Sequence, residues 1–242
     1  MEMAKWRSQD VKTRVYDAME KARRTQSQLN AVVTFIDVEE QLKRLETMDP
    51  KLPLYGIPVV LKDNVNTKGI LTTASSRILS NYVPVYDAAI CEKLKAAGAI
   101  IIAKASMDEL GMGGTNLSAY TGPVHNPYDL TRISGGSSGG SAVLCAAGIS
   151  PLTIGTDTGD SVRKPAAYNG VIGVKPTYGR ISRYGIIPYA SSLDHVGYFT
   201  TAVADAARAL QVLAGRDDRD MTSSYEPVPD YETALNSDLH GK

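Results

Sequence analysis

The chain has two cysteines and three histidines in 242 residues, and both scarcities narrow its chemistry. Cys91 and Cys145 lie in apolar helical patterns. They supply no disulfide framework and read as buried free thiols of a reducing compartment. His125, His195 and His240 lack metal-ligand spacing and read as surface or structural residues. Net charge is also missing, because 26 Lys+Arg balance 26 Asp+Glu. That leaves no overall field for direct binding to nucleic acid or a membrane surface. No apolar run reaches the length of a membrane span. Residues 1–24 are charged throughout, with no apolar signal core. A soluble, cytoplasmic protein is the expectation. The sequence also lacks internal repeats, low-complexity segments, a Gly-x-Gly-x-x-Gly and a Gly-Lys-Ser/Thr at phosphate-loop spacing.

What is present is an ordinary globular composition, 43% hydrophobic and 21% charged. The length fits one large α/β domain or two small ones. Apolar stripes predict helices over residues 10–29, 38–48, 87–97, 141–147 and 201–214. The first has Val11, Val15, Met19 and Ala22 on one stripe. The third turns Ile90 and Leu94 inward and stops at Gly98. The last is opened by a threonine cap and closed by Gly215. Short apolar runs predict strands over 31–36, 56–61, 100–103, 152–154 and 171–174. Residues 111–127 form a Gly/Ser/Asn loop, and the polar tail from Arg216 holds at most one short helix near Tyr231. Alternating strands and helices imply the α/β class, with a mainly parallel core sheet covered on both faces. The last residues, Leu239-His240-Gly241-Lys242, read as the approach to another element.

The chemistry concentrates in two turns, Gly135-Gly136-Ser137-Ser138-Gly139-Gly140-Ser141 and Thr156-Asp157-Thr158-Gly159-Asp160-Ser161. Glycine lets backbone N–H groups approach a ligand, and serine supplies a hydroxyl that a base can activate. Ser137, Ser138, Ser141 and Ser161 are therefore candidates, although no histidine lies in or near either turn. Gly135-x-Ser137-x-Gly139 matches the nucleophile elbow of α/β-hydrolases, with Asp157 or Asp194 and His195 or His240 downstream. An elbow serine follows a strand, however, and Arg132-Ile133-Ser134 is a poor one. Taken alone, the stretch reads more simply as a loop capping a helix. Lys62 is the other basic candidate. It follows the buried-type strand Gly56-Ile57-Pro58-Val59-Val60-Leu61 and precedes Asp63-Asn64. Strand carboxyl ends open into the crevice where α/β proteins bind ligands. A desolvated amine there loses its proton more easily and can act as a base. A solvated lysine at a strand end is the plainer alternative.

Taken together, Lys62, Ser137 and Ser161 resemble the catalytic triad of the amidase signature family. The resemblance spans nearly the whole chain. It is carried by Gly56 to Asn64, by Met107-Asp108-Glu109 with Gly111-Met112-Gly113-Gly114, and by Gly135 to Ser141. Further on it is carried by Gly155-Thr156-Asp157-Thr158-Gly159, Ser161-Val162-Arg163 and Pro165-Ala166-Ala167. Residues 175–185 and Ser191-Ser192-Leu193-Asp194 are most similar to the glutaminase branch of the family, found in tRNA-dependent amidotransferases. The resemblance implies the amidase-signature fold, a mixed, mostly parallel sheet flanked by helices. Residues 1–242 would form the N-terminal portion of the amidase domain, apparently truncated.

The resemblance also implies roles. Ser161 is the nucleophile that forms an acyl-ester, Ser137 relays the proton after a cis peptide bond, and Lys62, neutral at rest, is the ultimate base. Backbone N–H groups of Thr158, Gly159, Asp160 and Ser161 form the oxyanion hole, and Met112 and Gly113 line the substrate pocket. The branch hydrolyses glutamine and passes ammonia to a B subunit, which amidates Glu charged on tRNA(Gln), within a complex that also holds a C subunit. No metal or cofactor is implied for this chain, since ATP and Mg are used by the partner, and tRNA is met only through the B subunit.

Two departures stand out. The family has glycine where this chain has Asp160. A left-handed φ there would strain a non-glycine by roughly 1–2 kcal/mol, and a carboxylate about 4 Å from a developing oxyanion opposes it by roughly 1–4 kcal/mol. Lys164, where the family often has glutamine, is expected to pair with Asp160. Family members are also about twice as long. The missing half carries groups that hold the glutamine α-carboxylate and α-amine, and lost sheet neighbours favour self-association or a partner. The alternatives are a general small-amide amidase and a non-catalytic, degenerate paralogue.

Overall fold

The computed structural model describes residues 2–236; Leu239 and His240, with their neighbours, lie outside them. Helices are α1 (Met3–Arg7), α2 (Val11–Leu29), α3 (Glu39–Leu45), α4 (Ala89–Ala96), α5 (Gly139–Ala146), α6 (Arg163–Tyr168) and α7 (Val203–Leu213). Strands are β1 (Val32–Phe35), β2 (Pro58–Lys62), β3 (Ile100–Ala105), β4 (Leu152–Asp157), β5 (Ile172–Val174) and β6 (His195–Thr200). They form one sheet in the order β1-β3-β2-β4-β6-β5. The centre, β3-β2-β4, is parallel, while β1 on β3 and β6 on β4 and β5 are antiparallel. Four strands thus run one way and two the other, which matches the mixed, mostly parallel expectation.

All residues of β2, β3 and β4 are buried, as central parallel strands require. Their apolar, β-branched runs (Pro-Val-Val-Leu, Ile-Ile-Ile-Ala) supply the core. Strand β6 and helices α1 and α6 fall outside the elements the sequence predicts. His-Val-Gly-Tyr-Phe-Thr alternates weakly, yet Tyr198 is fully buried and donates to the Ala206 carbonyl at 2.7 Å. No threonine caps α7 either: its N-cap is Ala202, with no side-chain hydrogen bond. Gly98 and Gly215 do follow their helices with left-handed φ of 85° and 115°.

The register sets Leu61 beside Lys104 and Lys62 beside Ala105. Alternation then sends the two lysines to opposite faces of the sheet. Lys104 is fully buried and donates to the Val65 carbonyl at 2.6 Å and Thr72 Oγ1 at 2.8 Å. Its Nζ is 3.9 Å from Asp63 Oδ1, and Asp63 is equally buried. Burial, opposed by the Asp63 charge, lowers the Lys104 ammonium to about 8. Asp63 in turn accepts from Thr73 Oγ1, from the Thr73 N–H at 3.1 Å and from the Ser75 N–H at 3.3 Å. Removing one partner of a buried pair strands the other charge. Lys104→Met is therefore expected to cost about 3–5 kcal/mol in urea unfolding. Lys104→Met/Asp63→Asn should recover part of that loss. A single variant within about 1 kcal/mol of wild type would show that the pair holds no such charge.

Candidate active site

Lys62 closes β2 with its side chain in a dry interior, 0% exposed. Its Nζ donates to Ser137 Oγ, Ser138 Oγ and Thr156 Oγ1, each at 2.8 Å. Burial lowers this amine to about 7, against the pull of the Asp108, Asp157 and Asp194 carboxylates. The strand-end lysine is therefore not a solvated one.

The first serine turn leads directly into α5, which packs on β2, β4 and β6. The approach is close: a Cβ on Gly140 would stand 2.7 Å from the Ala31 carbonyl oxygen and 2.8 Å from the Ser106 nitrogen. The Gly136–Ser137 peptide is cis. Ser138 donates its N–H to the Ser161 carbonyl at 3.2 Å and its hydroxyl to the Thr156 carbonyl at 3.0 Å. The two turns are thereby joined. Ser141 points elsewhere, donating to the Ile154 carbonyl at 2.8 Å. No strand precedes Ser137, and its partner is Lys62. His195 Nδ1 instead meets the Leu193 carbonyl at 2.6 Å. The nucleophile-elbow match, already weak for want of a leading strand, gains no support, and the turn does open a helix; His240 lies outside the described residues.

The second turn follows β4. Asp157 folds it back: its carboxylate accepts the Val162 N–H at 2.9 Å and Arg163 Nη2 at 2.9 Å. Burial pushes the Asp157 carboxyl up, but hydrogen bonds from Arg163 and Val162 outweigh it and hold it below the usual range. Thr158 Oγ1 donates to Asp194 Oδ1 at 2.5 Å. The N–H groups of Gly159, Asp160 and Ser161 carry no internal hydrogen bond among the described residues. Burial eases from Lys62 at 0% through Ser137 at 1% to Ser161 at 5% exposed, so Ser161 is the least buried of the three residues. No hydrogen bond joins the Ser137 and Ser161 hydroxyls, and such bonds often tighten only with substrate bound.

Asp160 has no left-handed φ, so the expected backbone strain is absent. Its carboxylate pairs with Lys164 Nζ at 2.6 Å, as expected. Lys164 lies against Gly114, where an added Cβ would be 2.6 Å from Nζ. That contact brings the Met112–Gly113 loop beside the second turn; Met112 itself is exposed. Sequence reasoning named Ser138 only as one of four candidate serines and Asp194 only as a possible acid, and gave Thr156 and Asp108 no part in the site. Asp108 and Thr156 stood inside the matching segments, but only the folded sheet brings them to Lys62.

Among the described residues no group of three His, Cys, Asp or Glu could hold a metal ion, and no helix is long and apolar enough to cross a membrane. The arrangement couples a buried amine near neutrality to a hydroxyl, beside a second serine with unpaired N–H groups. That set is suited to nucleophilic attack on a carbonyl.

Comparison with known proteins agrees with this chemistry. The chain belongs to the amidase family, whose model matches residues 14–242. It is similar to the A subunit of glutamyl-tRNA(Gln) amidotransferase from Oenococcus oeni, 49% identical over 90% of this chain and 46% of the relative. The crystal structure of the Thermotoga maritima counterpart superposes with a TM-score of 0.87 at 38% identity, over 94% of this chain and 50% of the other. Peptide amidase from Stenotrophomonas maltophilia gives the same TM-score, 0.87, at 34% identity over 94% and 50%. The chain spans about half the length of the relatives it matches.

The lowered Lys62 pKa has a consequence for stability. Between about 7 and the ordinary lysine value of 10.5, the unfolded chain binds a proton that the folded chain does not. Lys62 thus weakens the fold at low pH, and the penalty is relieved as pH rises through that window. Lys62→Met removes it. The stability of Lys62→Met relative to wild type should be greatest at pH 6 and decline steadily toward pH 10 in denaturant titrations. A difference independent of pH would show that Lys62 keeps an ordinary pKa.

Proposed function

We propose that the chain is an amide hydrolase in which Ser161 attacks the substrate carbonyl, Ser137 relays its proton and Lys62 takes it up. The observation that carries this reading is the 2.8 Å contact between Ser137 Oγ and a fully buried amine drawn to about 7. A neutral amine needs one hydroxyl to donate back to it. Ser138 already gives its proton to the Thr156 carbonyl, and Thr156 Oγ1 already accepts from Lys62 and from Asn64 Nδ2 at 3.1 Å. Accepting leaves the Thr156 proton free, so Ser137 and Thr156 could both donate; Ser137 is the one in the turn joined to Ser161 and is assigned the task. The acyl-ester on Ser161 would be opened by water, with the N–H groups of Thr158, Gly159, Asp160 and Ser161 around the oxyanion and Met112 and Gly113 along the pocket.

The substrate we assign is glutamine, and the ammonia released would serve a B subunit that amidates Glu-tRNA(Gln), in a complex with a C subunit. Similarity near half-identity to glutamyl-tRNA(Gln) amidotransferase chains supports this over a general small amide. ATP and Mg would belong to the B subunit's step. Strand β5 ends the sheet as an open edge with half-buried residues. That edge fits a chain completed by further polypeptide or by self-association.

A fluorophosphonate should add once to wild type, by intact mass, and not at all to Ser161→Ala. A folded wild-type protein that takes up no adduct would sink the assignment. Ammonia release from glutamine well above that from propionamide would identify the substrate, and the reverse order would favour the small-amide reading. Asp160 lies next to the developing oxyanion with its charge partly offset by Lys164. Asp160→Gly should therefore raise turnover by about fivefold, from roughly 1 kcal/mol of relieved repulsion. An unchanged or slower variant would show that Asp160 does not restrain the reaction.

A further inference from the structure

We propose that Asp108 is a positioning residue of this site: its buried carboxylate ties the pocket loop to the Ser137 turn and keeps a negative charge in the field of Lys62. The inference rests on the reading that Lys62 is the base.

Asp108 follows β3 and is 1% exposed. Its N–H donates to the Ser137 carbonyl at 3.1 Å, so the backbone of the proposed relay serine hangs on this residue. Its Oδ2 accepts the N–H groups of Thr115 at 3.1 Å and Asn116 at 2.9 Å, and its Oδ1 accepts Ser118 Oγ at 2.9 Å. The carboxylate also fills the space beside two glycines. A Cβ on Gly113 would stand 2.5 Å from its Cγ, and one on Gly136 would collide with Oδ2. Gly113 belongs to the pocket loop, and Gly136 precedes Ser137. One side chain therefore spans both walls.

Three carboxylates act on Lys62, from three elements. Asp157, at the end of β4, is neutralised by Arg163 at 2.9 Å. Asp194, before β6, accepts from Thr158 Oγ1 and from the Tyr189 and Ala190 N–H groups, and Arg183 lies in its field. Asp108 is held only by neutral donors. Lys164, a cation in its field, is already ion-paired with Asp160 at 2.6 Å. Arg183 is likewise already ion-paired, with Asp220 at 3.0 Å, so Asp108 and Asp194 both keep their charge. Of the three carboxylates Asp108 acts most strongly on Lys62 and opposes the release of its proton. Lys104 faces the other side of the sheet and does not enter this balance.

The test is an NMR titration of lysines labelled with ¹³C at Cε in the intact chain, with Lys62 assigned by its loss in Lys62→Met. The Lys62 midpoint, about 7 in wild type, should fall by roughly one unit in Asp108→Asn. The Lys104 midpoint, about 8, should stay and serves as the control for an intact core. Ser118→Ala removes a hydrogen bond but no charge and should move neither. Asp108→Ser removes the charge with a smaller group and gives the same reading should asparagine prevent folding. Asp108→Glu keeps the charge but displaces the loop. It should leave the Lys62 midpoint in place while raising KM for glutamine several-fold more than it lowers kcat. A Lys62 midpoint that does not move when the charge is removed overturns the electrostatic role, and an unchanged KM in Asp108→Glu overturns the loop role. The titration reads Lys62 itself. A wild-type protein that takes up no fluorophosphonate counts against the proposed reaction, and an unmoved midpoint counts against Asp108.

Discussion

An ammonium group withdrawn from water must find other partners or give up its proton. That constraint on Lys62 governs much of this structure. Strand β2 is apolar until its last residue, so the sheet that buries Val59, Val60 and Leu61 also buries the amine that follows. Three hydroxyls and three carboxylates replace the lost water in part. The result is a base poised near neutral pH, where proton transfer in both directions is easy. The covering helix that dries the site, α5, starts from the turn that supplies two of those hydroxyls. Desolvation and delivery of the reactive groups are one packing event.

The carboxylates around the site do local work as well. Asp157 uses both oxygens to draw the second turn back onto α6, and Asp194 fastens Thr158 from the far side. The backbone between these anchors, Gly159 to Ser161, is held at both ends while its own N–H groups find no partner among the described residues. Fixed donors that need not reorganise are what stabilise charge as it develops.

Much of this was legible before folding. Most helices and the central strands follow from apolar periodicity, while the grouping of Lys62 with Ser137 and Ser161 came from the resemblance to the amidase signature family, since the residues alone read as a capping loop and a strand-end lysine. Strand β6 and helix α6 escaped because neither carries a clean period: β6 mixes Gly197 with buried Tyr198, and α6 is six residues with Pro165 inside. The threonine cap was misplaced because Thr200 is still strand and donates its hydroxyl to the Ala202 carbonyl. Asp108 and Asp194 could not be read as neighbours of Lys62, since their proximity arises from β3, β2, β4 and β6 lying side by side. Asp160 shows the opposite limit. Its identity signalled a conflict at the second turn, yet the conformation that relieves the strain and the partner that shares its charge belong to the folded state.

The sheet order has one further meaning. Every group that touches Lys62 comes from residues 58–161, a continuous stretch wound through three adjacent parallel strands. Loop 111–118, inside that stretch, fastens to Asp108, loop 188–194, outside it, fastens to Thr158, and β5 forms one edge of the sheet. The amine and its hydroxyl partners therefore lie on one continuous stretch of chain, with the second turn fastened from outside it by Asp194. A change in loop 188–194 reaches the second turn through the Thr158–Asp194 hydrogen bond, while the amine keeps its own hydroxyl partners.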